Sequence, residues 1–174
     1  MRFGDISSFA IECEIFREHN FRSTEPFGHI SMWAGGVRIG HFDDVVMLSP
    51  VADAFTAFGE NPGRRGMQHV FPDNAGDAFK TAFEAIFGRD KRDPIQVKAD
   101  YRKFNPFLVC PNGSEAFDGW IAILVEGTDS DRFIWKDPEG KVHEVGLESN
   151  QLNLVIRNFS QWLDSQSTKH NLPR

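Results

Sequence analysis

Cysteine is scarce in this sequence, which has 2 cysteines among 174 residues. Cys13 and Cys110 lie far apart within apolar surroundings, so we expect two buried free thiols and neither a disulfide nor a metal pair. Tyrosine is scarcer, with 1 residue against 17 phenylalanines. Phenylalanine carries no polar group, so this composition favours packing over side-chain chemistry.

Long hydrophobic runs are also missing. No segment approaches the roughly 20 apolar residues that a membrane-spanning helix needs. The first ten residues have neither the basic start nor the apolar run of a signal peptide. We therefore expect a cytoplasmic protein without a membrane partner. A hydrophobic content of 40% without a break in composition predicts a single domain over residues 1–174, with a frayed tail over 165–174.

Lysine and arginine are absent from two stretches, although acidic residues continue through both. Between Arg38 and Arg64 the charged residues are Asp43, Asp44, Asp53 and Glu60. Between Lys103 and Arg132 they are Glu115, Asp118, Glu126, Asp129 and Asp131. Binding to a phosphate backbone needs a positive surface, so nucleic acid is not the expected partner. A basic protein suits this charge distribution better.

Catalytic motifs are missing as well. The sequence contains no Gly-x-Ser-x-Gly elbow, no P-loop and no His-Glu-x-x-His. His41, Asp43 and Asp44 form the one local cluster of a histidine with two carboxylates, which could bind a divalent metal or act in acid/base catalysis. A small metal-dependent hydrolase therefore stays open as the alternative to a binding protein. We expect no catalytic residue, metal or cofactor, and we interpret residues 59–66, which include Arg64 and Arg65, as a surface loop.

Residue patterns predict an antiparallel sheet in the first half of the chain. Apolar and polar residues alternate over 9–16, as in a strand with one buried face. Two further strands, over 29–34 and 37–42, flank Gly35-Gly36, and paired glycines supply the positive φ angles of a tight turn. We therefore predict a three-stranded meander.

Helices and further strands follow along the chain. Ser49-Pro50 indicates a helix start with its end near Phe58, and Asn74 with Asp77 caps a second helix that Gly88 ends. A last helix follows Ser149. The predicted strands of the second half cover 95–102, 107–110, 120–126, 132–136 and 141–145. Together these elements predict an α+β fold, mainly antiparallel, with two to three helices packed on the sheet.

Trp33 is the tryptophan with the strongest case for a surface role. It lies on the opposite side of its strand from Ile30 and Met32, so it can anchor an interface if that face is exposed. Such an interface could also be a permanent one between copies of this chain, which is a third hypothesis. We expect a monomer when the protein is free.

The N-terminal motifs resemble one known family. Residues 3–15 contain Gly4-Asp5 and a Phe-Ala-Ile run, and residues 30–43 contain Trp33 and the Gly35-Gly36 turn. This arrangement resembles the family-42 immunity proteins of bacterial polymorphic toxin systems, which include contact-dependent inhibition.

The resemblance implies a small non-catalytic protein that binds the C-terminal domain of a cognate toxin and neutralises it. A nuclease toxin presents a basic groove, which an acidic inhibitor reaches faster through electrostatic steering. From the charge pattern we expect the toxin-binding residues to be Asp43, Asp44, Asp53, Glu60, Asp129 and Asp131, and from its strand phase we add Trp33.

Overall fold

The computed structural model describes residues 1–16, 25–61, 63–66, 71–88, 92–111 and 113–170, with the backbone alone for 167–170. The chain folds into two compact units. Unit 1 comprises Met1–Glu60, Pro111–Asp118 and Asn150–Arg174, and unit 2 comprises Asn61–Cys110 and Gly119–Ser149. Two compact units can belong to one domain, so the single domain over 1–174 stays a prediction.

The described residues form eight strands and four helices, in agreement with the predicted α+β class; the number of helices exceeds the expected two to three. In chain order they are β1 (Arg2–Gly4), β2 (Phe9–Ile15), β3 (Phe27–Ala34), β4 (Val37–Ile39), β5 (Val46–Met47), α1 (Leu48–Gly59), α2 (Ala75–Phe87), α3 (Pro94–Phe104), β6 (Ile121–Val125), β7 (Ser130–Lys136), β8 (Val142–Glu148) and α4 (Gln151–His170). Short 3-10 turns cover Asn105–Phe107 and Glu115–Phe117.

The sheet of unit 1 contains the predicted meander. Strands β1 to β4 are antiparallel neighbours in chain order, and β5 pairs with β3. Gly35 and Gly36 have φ angles of 55° and 80°, so the hairpin between β3 and β4 has the positive φ values expected of it. The meander is therefore confirmed, while β1 and β5 were not predicted.

One face of this sheet forms the core of unit 1. Phe9, Ile11, Ile30 and Met32 are fully buried there. Helices α1 and α4 contribute Phe55 and Phe159 among other buried residues, and these two rings meet edge to face with centroids 6.2 Å apart. Alternation along each strand places charged residues on the opposite face.

Unit 2 has its own three-stranded antiparallel sheet in the order β6-β7-β8. Its core joins Phe79 of α2 and the rings of Phe104 and Phe107 to Ile123 and Ile134 of the sheet. These rings have no polar group, which agrees with the expectation of a phenylalanine-rich core.

An ion pair holds the predicted surface loop in unit 2. The guanidinium of Arg65 is fully buried, with one nitrogen 2.7 Å from Oε1 of Glu126. Burial lowers the pKa of Arg65, and the charges of Glu126 and Asp131 oppose this shift. The backbone N–H of Gly63 donates to the other Glu126 oxygen at 2.7 Å. Arg65 is therefore a core residue and not a surface cation; Pro62 and residues 67–70 lie outside the described part of the chain.

Local signals predicted the second helix correctly. Oδ1 of Asn74 accepts a hydrogen bond from the backbone N–H of Asp77 at 3.1 Å, and α2 ends before Gly88. The predicted cap of α1 was wrong, because this helix begins at Leu48 without a side-chain cap. The N–H of Leu48, the first of the free N–H groups of this helix, donates to the carbonyl oxygen of Pro26 at 2.9 Å.

Two predicted strands of the second half were wrong. Residues 95–102 belong to α3, whose start is set by Asp93: its side chain accepts from the N–H of Ile95, and Pro94 occupies the first turn. Within 107–110, a 3-10 turn ends at Phe107 and Leu108 forms a single bridge to Ile123. The N–H of Leu108 donates to the carbonyl oxygen of Asn105 at 3.1 Å and closes the turn instead of extending a ladder.

The last helix, α4, includes residues 165–170 of the tail for which fraying was expected, and 171–174 lie outside the described residues. Among the described helices, none combines the length and the hydrophobicity that crossing a membrane requires.

Candidate functional site

A glycine brings two acidic segments of unit 1 together. Gly40 follows β4 with a φ of 101°, and a Cβ atom at this position would lie 2.7 Å from the carbonyl oxygen of Ala116. This close approach lets the N–H of His41 donate to the same oxygen at 2.7 Å. Nε2 of His41 lies 3.2 Å from the backbone oxygen of Asp118, which can only accept, so this nitrogen carries the hydrogen.

An acidic depression results from this contact. It has a volume of about 620 Å³, and its lining consists of His41, Asp43, Asp44, Glu115 and Asp118. We refer to these five residues as the acidic depression. Four acidic residues thus line one open space, and neither lysine nor arginine is among the described residues that line it. Such a surface attracts a cationic partner and repels phosphate.

Backbone contacts hold the turn that carries Asp43 and Asp44. The N–H of Asp44 donates to the carbonyl oxygen of His41 at 3.1 Å, which closes a turn. Nδ1 of His29 lies 3.2 Å from the carbonyl oxygen of Asp44, and the ring of His29 also contacts Phe42 with centroids 5.5 Å apart. These contacts anchor the turn that carries Asp43 and Asp44 to β3, while the Asp43 side chain is exposed and that of Asp44 is half-buried.

The other two acids predicted in unit 1 do not line the depression. Asp53 is exposed on α1, and Glu60 is exposed at the end of the same helix. Asp43 and Asp44 are therefore brought together with Glu115 and Asp118, and not with the acids of α1.

Two predicted contact residues belong to unit 2. Asp129 is exposed just before β7. Asp131 is only 3% exposed, and its Oδ1 accepts from the N–H of Gly127 at 3.2 Å. A buried carboxylate cannot make a surface contact without rearrangement, so we exclude Asp131 from the proposed toxin-binding residues.

Trp33 lies on the charged face of the unit 1 sheet, as its phase predicts, but its ring is not an open apolar anchor. The indole N–H donates to Oε2 of Glu12 at 2.9 Å, and the guanidinium of Arg38 lies 4.7 Å from the ring centroid. Arg2 and Arg38 also pair with Glu12 at 2.9 and 3.0 Å. Burial by itself raises the pKa of Glu12. The hydrogen bonds from Arg2 and Trp33, together with the charges of Arg2 and Arg38, lower this pKa by more, so the net shift is downward.

An apolar groove adjoins the acidic depression. It has a volume of about 270 Å³ and shares Glu115 with the depression. Its remaining lining residues are Val45, Val46, Met47, Pro50, Val51, Pro111, Gly113 and Ser114. We refer to this feature as the apolar groove.

Glu115 and Asp118 were missed as site residues. The signal that could have found them is the second stretch without lysine or arginine, which contains both. Their proximity to residues 41–44 depends on the close approach at Gly40, which sequence spacing does not reveal.

Metal and thiol chemistry were also open from the sequence. No group of three His, Cys, Asp or Glu side chains within the described residues is placed to hold a metal ion. Cys13 and Cys110 are buried free thiols, as predicted. Burial raises the pKa of each to about 12, so neither is a thiolate at neutral pH.

Comparisons with known proteins show which fold and which family this chain has. The crystal structure of CdiI from Burkholderia dolosa AUO158 shares the fold, with a TM-score of 0.70 and 18% sequence identity, and the match covers 93% of this chain and 99% of that chain. No curated protein matches this chain. The family model described as "Immunity protein 42" matches residues 1–162. The chain therefore belongs to the immunity protein 42 family, as its N-terminal motifs indicate, and is a toxin-neutralising immunity protein.

Proposed function

We propose that this protein neutralises a nuclease toxin by placing the acidic depression against the basic, substrate-binding surface of the toxin domain. The observation that carries the proposal is the convergence of Asp43, Asp44, Glu115 and Asp118 on one open space, which no described lysine or arginine lines. A nuclease needs positive charge to hold phosphate, and this depression offers the complementary charge.

The electrostatics favour fast capture of the toxin. Four like charges in a concave site focus the local field, and charge complementarity raises association rates from about 10⁵–10⁶ to as much as 10⁸–10⁹ M⁻¹s⁻¹ at low salt. Rapid association suits an inhibitor that must act before the toxin cuts its substrate. The four carboxylates would occupy positions that substrate phosphates otherwise take.

Binding without catalysis is the role that the family and the site support. His41 directs Nε2 to the backbone oxygen of Asp118, which keeps that nitrogen from acting as a base. We further propose that the protein acts in the cytoplasm as a monomer until it meets the toxin. Trp33, Asp53 and Glu60 of unit 1 remain proposed further contacts, and Asp129 of unit 2 remains a separate proposed contact.

The experiment uses the C-terminal domain of the cognate toxin. Its activity on RNA and on DNA is measured with increasing wild-type protein and with the Asp43→Lys/Glu115→Lys variant. Glu139→Lys, at an exposed turn of unit 2, shows the effect of charge reversal elsewhere.

We expect stoichiometric inhibition by wild-type protein and by Glu139→Lys, and loss of inhibition by the double variant. Full inhibition by the double variant would contradict the proposed site. A toxin domain that cuts neither RNA nor DNA would contradict the nuclease class. The metal-dependent hydrolase is tested separately by metal analysis of purified protein, where tight stoichiometric metal at His41, Asp43 and Asp44 would favour it.

A further inference from the structure

We infer that the apolar groove receives an apolar side chain of the toxin that neighbours the lysine or arginine held by the acidic depression. This inference rests on the proposed function and specifies the chemistry of the partner: a toxin segment in which a basic residue lies beside a large apolar one.

The groove presents apolar side chains that the fold leaves uncovered. Val45 is 50% exposed and Met47 is 40% exposed, although both belong to the segment that leads into α1. Strand β5 pairs with β3 through Phe27↔Met47 and Gly28↔Val46. Val46 and Val51, by contrast, are 8% and 2% exposed and belong to the core. The exposed side chains of Val45 and Met47 therefore belong to a segment that strand pairing and buried neighbours hold in place.

The groove and the depression form one continuous surface. Glu115 lines both, and the chain runs directly from Asp43 and Asp44 in the depression to Val45 and Met47 in the groove. Within the described part of the chain, no lysine or arginine lines either the groove or the depression. An occupant must therefore present positive charge on one side and apolar surface on the other.

Charge complementarity selects a protein over the other occupants. Phosphate of a nucleic acid or an anionic lipid would meet Glu115 at the border and the other three carboxylates beyond it. The groove volume of about 270 Å³ suits one or two side chains, and lies just below the range of roughly 300–1,000 Å³ typical of small-molecule sites. A side chain of the toxin is the occupant that fits both parts.

The two parts should affect different kinetic steps. Long-range attraction by carboxylates acts on the association rate, whereas apolar contacts form only in the docked complex and act on the dissociation rate. This difference allows the groove to be tested independently of the depression.

The experiment measures the association and dissociation rate constants of this protein with the cognate toxin domain, which is made catalytically inactive by mutation. Val45→Ser/Met47→Ser removes the exposed apolar surface, and Asp43→Asn/Asp44→Asn removes charge from the depression. Val37→Ser is the matched control, because Val37 is also 40% exposed in unit 1 but lines neither feature. Thermal unfolding of each variant confirms that it is folded.

We expect Val45→Ser/Met47→Ser to raise the dissociation rate about tenfold or more, with an unchanged association rate, because burying apolar area slows release. Val37→Ser should change neither rate. If the groove variant dissociates like wild type while the Asp→Asn variant associates more slowly, the groove inference fails and the proposed function stands. If the Asp→Asn variant associates like wild type, the proposed function itself fails at this site.

A second measurement applies even if the double variant does not fold. A photo-reactive benzoylphenylalanine at Met47 should cross-link to the toxin domain, and the same group at Val37 should not. Equal cross-linking at both positions, or none at Met47, would overturn the inference.

Discussion

The backbone N–H of His41 donates a 2.7 Å hydrogen bond to the carbonyl oxygen of Ala116. This contact joins two segments that are far apart in sequence and gathers the four carboxylates of the acidic depression on one surface. The proposed toxin-binding surface of this immunity protein is thus built by backbone geometry.

Gly40→Ala is expected to damage this junction. A methyl group would lie 2.7 Å from the Ala116 oxygen, at a φ of 101° that favours glycine. Strain and overpacking together should lower the free energy of unfolding by about 2–4 kcal/mol. Urea unfolding measures the loss. Gly36→Ala is the control, because Gly36 also has a positive φ but no atom within 4 Å of its Cβ position, so strain acts alone. Equal losses in the two variants would show that the close approach is unimportant.

Glu126→Gln is expected to destabilise unit 2. Arg65 is fully buried, and the substitution leaves its charge without the carboxylate 2.7 Å away. Removing one partner of a buried pair costs roughly 3–5 kcal/mol, and we expect a value near the lower end because Gln still offers an oxygen and the charge of Asp131 also acts on Arg65. Glu84→Gln is the control: its pair with Lys80 is 3.8 Å long, with both side chains more than 60% exposed, so its loss should cost less than about 1 kcal/mol. A Glu126→Gln protein as stable as the control would contradict a structural role for Arg65.

Glu12→Gln should change the dependence of stability on pH. The arginines and Trp33 hold the folded-state pKa of Glu12 below its ordinary value. Its contribution is therefore fully present above an unfolded-state pKa of about 4.3 and is lost as the pH falls through the lower folded value. We expect the variant to be less stable than wild type by about 1 kcal/mol at pH 7, with the difference shrinking toward pH 3. Glu14→Gln, at an exposed position of the same strand, is the matched control. A difference that is constant from pH 7 to pH 3 would contradict the network.

The two cysteines should be unreactive in the folded protein. Burial raises the pKa of Cys13 and Cys110 to about 12, so the thiolate is nearly absent at pH 8. A disulfide reagent such as dithiobis(nitrobenzoate) should modify neither thiol in buffer and both in urea. Because unfolded thiols ionise near a pKa of about 8.5, stability should decrease as the pH rises above that value. Rapid modification of the folded protein would show that these thiols are accessible.

Sequence signals succeeded where the structure depends on neighbours in the chain. The cap of α2 involves Asn74 and Asp77, three positions apart, and the β3–β4 hairpin depends on Gly35-Gly36. In residues 95–102, by contrast, Ile, Val and Tyr suggested a strand, while the decisive signal lay just before them in Asp93-Pro94. Both elements of that signal are helix-start features.

The sequence likewise revealed only those residues of the candidate site that depend on local pattern. Charge patterning identified Asp43 and Asp44, because an acidic run is visible locally. Glu115 and Asp118 join them only through a contact at Gly40 between distant segments. The environments of Asp131 and Trp33 likewise depend on tertiary neighbours, because burial and arginine stacking cannot be read from a strand pattern.

The central claim is tested most directly by the rate at which this protein associates with the cognate toxin domain, measured as a function of salt concentration. Wild-type protein should associate about 10–100 times more slowly at 500 mM than at 50 mM salt, because screening weakens steering by the acidic depression. A variant that neutralises all four acids should associate slowly even at low salt, and its association rate should lose most of its salt dependence. Its substitutions are Asp43→Asn, Asp44→Asn, Glu115→Gln and Asp118→Asn. A variant with the rate and salt dependence of wild type would contradict the claim that this surface captures the toxin.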